Sequence, residues 1–121
     1  MCYDKEEALQ KKIQDWKVTL NTRNFHKGVN VTIRNGNDKY VDMVPGDTVL
    51  LIDKFGKPIH TAKVLATEVL NMEQWRYQIE FLLQFESEPN SRDLVGWMKT
   101  MDVGYGKNNW GPIVTAVILW I

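Results

Sequence analysis

The chain has 121 residues, 44% hydrophobic and 25% charged, a size and balance that suit one globular domain, 1–121, with a core that needs no metal or disulfide staple. Fifteen Lys and Arg against fifteen Asp and Glu give zero formal charge, which excludes a whole-molecule footprint of the kind that drives non-specific nucleic-acid or membrane binding, so any anion site has to be local. Cys2 is the single cysteine, so no disulfide framework exists, and together with His26 and His60 it falls short of a usual structural zinc set.

The first residues, Met1 to Glu7, are acidic and polar rather than basic and apolar, so no signal peptide is expected. Leu9, Ile13, Trp16 and Leu20 recur at steps of four, three and four, which predicts a helix over 4–16 with one apolar face. Its acids come early and its lysines late, in the sense that suits the helix dipole. Val29 to Arg34 alternates and is β-branched, which predicts a strand, and Asn35-Gly36 then turns the chain. Pro45-Gly46-Asp47 is a tight turn feeding a buried strand over 48–52. Residues 53–58 read as a hairpin loop and 59–70 as the long return strand.

Trp75, Tyr77, Ile79, Phe81, Leu83 and Phe85 fall at every second position, so 75–86 is predicted as a strand in preference to the helix that Trp75, Ile79, Leu82 and Leu83 would allow. The breaker cluster 87–91 follows, and Asn90 or Ser91 is expected to cap a short helix through Leu94, Trp97, Met98 and Met101. Residues 104–112 are expected to form an irregular loop. The closing run Ile113 to Ile121 is apolar on both faces, which predicts a central or barrel-closing strand. At nine residues it is far short of the ~20 that a membrane helix needs. The elements add up to an α+β protein: a small mixed β-barrel of five or six strands, with an N-terminal helix and a short helix in a late insertion. A cytoplasmic protein without membrane partner or cofactor is the expectation.

Thr32-Ile33-Arg34 on a strand, Gly46-Asp47 twelve to thirteen residues on, and the Val64 to Leu70 return strand resemble the ASCH domains of the PUA-like β-barrel superfamily, over roughly Lys17 to the end. The resemblance implies a cleft floored by the Thr-x-Arg strand and rimmed by the late loop, holding RNA or a modified base. A few ASCH-like proteins are amidohydrolases acting on acetylated cytidine, with a lysine three residues before the motif threonine, that threonine as nucleophile, and a downstream glutamate. Here Val29 stands at the lysine position and the nearest lysine, Lys27, is five residues from Thr32. A Gly-Lys-Lys stretch is absent, and Thr32 occupies the place of the glutamate that precedes the motif arginine in the commonest binding signature.

Arg34 is the first candidate for ligand recognition, because a planar guanidinium with five donors suits a phosphate or a base edge. Thr32 shares its face two residues away. Between Lys17 and Lys39 the cations Lys17, Arg23, Lys27, Arg34 and Lys39 meet one acid, Asp38, the only basic bias in the chain. Tyr105 and Trp110 in the late loop are candidate stacking platforms, whereas Trp97, at helical spacing with Leu94 and Met101, reads as core. Gly104-x-Gly106 lacks the third glycine of a phosphate loop. Glu86 and Glu88, at a breaker-rich strand end, read as solvated acids without a catalytic role. The candidate ligand-binding set is therefore Arg23, Lys27, Thr32, Arg34, Tyr105 and Trp110, with Thr32 and Lys27 as the candidate catalytic pair. The leading reading is an RNA- or nucleotide-binding module; the alternatives are an amidohydrolase acting on a modified nucleoside, or a barrel that presents a surface to a protein partner.

Overall fold

The computed structural model describes residues 16–19, 25–37, 39–40 and 42–121. The predicted helix over 4–16 and the candidate Arg23 lie outside the described residues, apart from Trp16. Five strands, β1 (Lys17–Thr19), β2 (Val29–Asn35), β3 (Thr48–Ile52), β4 (Pro58–Asn71) and β5 (Ile113–Trp120), form one sheet in the order β1-β3-β4-β5-β2. β1 runs parallel to β3 and the other pairs are antiparallel. The sheet is thus mixed and the fold α+β, with β5 paired on both sides, between β4 and β2, as its two apolar faces require.

The long β4 pairs with β3 from Pro58 to Lys63 and with β5 from Lys63 to Asn71, and the register shifts between Val64 and Ala66 where it changes partner. A bulge of this kind increases the local twist and bends the strand. β1 and β2 are the two edges of the sheet, yet Arg34 on β2 donates from Nη2 to the carbonyl of Thr19 on β1. The sheet therefore curls until its edges approach, and a side chain rather than a ladder spans the open seam. Gly46 makes the turn before β3 possible: its φ of +92° is open to glycine at no steric cost, and its N–H reaches the Val64 carbonyl at 2.8 Å.

The inner face of the curl packs Val18, Val49, Leu51, Val64, Val117 and Leu119. The outer face of β2 and β5 packs Val31, Ile33, Val114 and Ala116 against two helices, α1 (Arg76–Leu83) and α2 (Leu94–Tyr105). α1 corrects the expected strand over 75–86. Only Ile79 and Leu83, four residues apart, are fully buried along it, while Tyr77 is 86% exposed and Phe81 59%. The period-two run of apolar residues does not mark one buried face, since Tyr77 and Phe81 stand out in water; burial follows the i, i+4 pair. Arg76 and Glu80 add an i, i+4 ion pair at 3.6 Å.

The cap of α2 is also shifted. Asp93 accepts the Gly96 N–H at 2.7 Å, while Asn90 and Ser91 sit in a short 3-10 turn, Pro89–Ser91, whose own cap is Glu88. α2 extends to Tyr105, so the irregular segment begins at Gly106 rather than at 104. No helix among the described residues is long and apolar enough to cross a membrane.

Candidate functional site

Gly28 and Ile121 exchange backbone hydrogen bonds at 2.8 and 2.9 Å, and Gly36 N–H reaches the Ile113 carbonyl at 2.9 Å. Even-numbered residues of β2 therefore point their backbone groups at β5, and Val31, Ile33 and Asn35 point theirs off the sheet. Each of these outward N–H groups meets something other than a strand. Val31 donates to the Phe85 carbonyl at 2.8 Å, Ile33 to the carboxyl of Glu86, and Asn35 to the Tyr105 hydroxyl at 3.4 Å. A cleft of about 680 Å³ opens along this edge, between the end of β1, the segment 86–91 and the C-terminal half of α2.

Arg34 enters the cleft already oriented. Its Nε donates to Thr32 Oγ1 at 2.9 Å and its Nη2 to the Thr19 carbonyl. Of the five guanidinium donors, the remaining three have no hydrogen-bond partner among the described residues.

Opposite stands Glu86, 6% exposed. Burial raises its pKa from 4.5 to about 7, against the lowering effect of the Arg34 charge and of the backbone N–H groups of Glu88, Ile33 and Ser87. Near neutral pH its carboxyl is divided between a donor-bearing and an acceptor-only form. The expectation that Glu86 is a solvated acid is thus overturned. α1 ends at Leu83, and the turn from Leu83 to Glu86 (Glu86 N–H to Leu83 carbonyl, 3.1 Å) brings the carboxyl inward. Segment 86–91 is pinned on both sides: Ser87 Oγ donates to Asn30 Oδ1 at 2.9 Å, and Ser91 Oγ lies 2.8 Å from Thr100 Oγ1 on α2.

Among the sequence-derived candidates, Thr32, Arg34 and Tyr105 line the cleft, as do Gly104 and Trp97. Lys27 does not. It is exposed at the opposite end of β2, five residues or ~16 Å from Thr32 along an extended chain. Trp110 does not line it either; it packs into the outer core, edge-on to Trp97 with centroids 5.3 Å apart, and donates from Nε1 to Asp102 Oδ1 at 2.8 Å. The buried Nε1 of Trp97 has no partner among the described residues. Sequence reading missed Glu86, Ser87, Ser91 and Thr100. The available signal was that the polar, breaker-rich stretch from Glu86 onward directly follows a dense apolar run.

No family model matches the chain, and no curated protein does either. In fold it is similar to an ASCH domain. That domain, from Lactobacillus crispatus JV V101 and known from a high-resolution crystal structure, is 12% identical, with 99% of this chain and 74% of that chain covered and a TM-score of 0.47. Among the described residues there is no group of three or more His, Cys, Asp or Glu side chains able to hold a metal ion.

Proposed function

We propose that the cleft binds a single nucleotide, free or as part of a single-stranded RNA, with the base inside. The observation that carries this reading is the pairing of Arg34, three of whose donors have no partner among the described residues, with the buried carboxyl of Glu86 across one recess rimmed by Tyr105. A base edge presents donors and acceptors side by side, and a guanidinium with a carboxyl answers both. The volume of about 680 Å³ lies within the roughly 300–1,000 Å³ of ordinary ligand sites, and the ring of Tyr105 suits stacking.

Titration of labelled short RNA and of free nucleotides, followed by fluorescence anisotropy at low and at physiological salt, tests it. Binding should weaken with salt, and Arg34→Ala should cost roughly tenfold or more, the effect of losing charge-assisted bonds. Absence of affinity for RNA, DNA and nucleotides at low salt would refute the reading.

A second reading, hydrolysis of an acylated nucleoside, is favoured by one specific arrangement. Thr32 Oγ1 accepts from Arg34 Nε, which leaves its own proton to be given up, and Glu86 faces the same cleft with a pKa of about 7. Lys27 has no part in it. Turnover of acylated nucleosides that disappears in both Thr32→Ala and Glu86→Gln would support this chemistry, and no turnover in the wild type would remove it.

A further inference from the structure

The cleft is a poor place for phosphate. Arg34 shares its lining with two carboxyls, Glu86 and Glu88, so a nucleotide that puts its base inside is expected to leave its backbone outside, where it needs cations.

The β3–β4 hairpin carries them, on a strand that pairs with β1 where Thr19 enters the cleft lining. Thr19, a lining residue whose carbonyl holds Arg34, is the register partner of Ile52, the last residue of β3. The hairpin turn that follows carries Lys54, Phe55 and Lys57. At ~5 Å between strands and ~3.3 Å per residue, Phe55 lies within ~15 Å of Thr19. That span is about four nucleotides at the roughly 3.4 Å per step of a stacked strand.

The turn is stiff. Asp53 Oδ1 accepts from the N–H groups of Phe55 and Lys57, both at 2.9 Å, Asp53 N–H reaches the Lys57 carbonyl at 2.9 Å, and Gly56 closes the bend with φ +79°. It holds Phe55 out in water at 82% exposure, with the Lys54 ammonium 5.1 Å from the ring centroid. An apolar ring displayed on a rigid tip between two lysines is a stacking platform flanked by phosphate contacts.

We infer that the hairpin tip is a second contact for the same strand, so that the ligand is a single-stranded oligonucleotide of several residues rather than a mononucleotide. The inference rests on the base-binding reading of the cleft and extends it. Lys54 and Lys57 take phosphates, and Phe55 stacks a base a few nucleotides from the one in the cleft.

The test compares a mononucleotide with an RNA of about five nucleotides on the full chain, for the wild type, Phe55→Ala, the double variant Lys54→Ala/Lys57→Ala, and Arg34→Ala. The wild type should bind the oligonucleotide at least tenfold more tightly. Phe55→Ala should lower oligonucleotide affinity about tenfold with mononucleotide affinity unchanged. The double lysine variant should reduce the salt slope by about two, and Arg34→Ala should weaken both ligands. Unaltered oligonucleotide affinity in the tip variants, with the Arg34 effect intact, overturns the second contact and leaves the cleft reading standing. Binding of neither ligand overturns both. Attachment to anionic lipid vesicles that Phe55→Ala abolishes, without change in RNA affinity, overturns the nucleic-acid assignment of the tip.

Discussion

Replacing Glu86 by glutamine separates the electrostatic cost of this carboxyl from its place in the packing. Its pKa rises on folding from 4.5 to about 7, chiefly through burial, so at 1.36 kcal/mol per pH unit the ionised form costs about 3 kcal/mol in the folded state. Below the lower value both folded and unfolded chains carry the proton and nothing is lost. Between the two values the unfolded chain ionises while the folded one keeps its proton; the unfolded state then binds fewer protons, and stability falls as pH rises. Above about 7 the loss levels off. Glutamine is neutral throughout and nearly isosteric, so its own cost, from a backbone N–H now facing an amide NH2, is independent of pH. Urea unfolding of both proteins at steps from about pH 5 to 8.5 gives a difference curve that isolates the Glu86 carboxyl. That difference should move by about 3 kcal/mol in favour of Glu86→Gln as pH rises, on the order of 10 °C in Tm for a chain of this size. A flat difference curve would mean that Glu86 is solvated in solution, and the electrostatic account of the cleft would fall with it.

Gly96→Ala should be strongly destabilising, by about 1–3 kcal/mol or more, because a Cβ there would stand 2.0 Å from the Asn90 carbonyl oxygen; denaturant midpoints with an unchanged m-value check it. Trp110→Phe removes the bond to Asp102 and part of the edge contact with Trp97, which should cost about 1–2 kcal/mol while leaving nucleotide affinity unchanged, since Trp110 lies outside the cleft. Asn30→Ala should cost about 2–3 kcal/mol, because buried Asn30 joins His26, Gly28 and Ser87 through four hydrogen bonds, and should also loosen segment 86–91, seen as faster amide exchange there.

Elements whose character rests on local chemistry were legible in the residues themselves. Pro45-Gly46-Asp47 announces its turn, Asp53 to Pro58 its hairpin, Val29 to Arg34 its strand, and the apolar run from Ile113 its interior place in the sheet, since each follows from backbone preference or from the cost of exposing apolar surface. Thr32 and Arg34 were readable as neighbours because strand alternation puts them on one face.

What needed tertiary structure were choices between outcomes that local chemistry permits equally. Trp75 to Phe85 satisfies a strand and a helix alike, and the helix prevails because only Ile79 and Leu83 have core to enter. Trp110 serves as platform or as anchor according to whether Asp102 is within reach. Glu86 is an ordinary carboxylate until the curl of the sheet brings the free edge of β2, with the outward N–H of Ile33 and the charge of Arg34, against the end of α1. Its burial is a property of that long-range closure, and desolvation depends on what surrounds a group in space rather than on its neighbours along the chain.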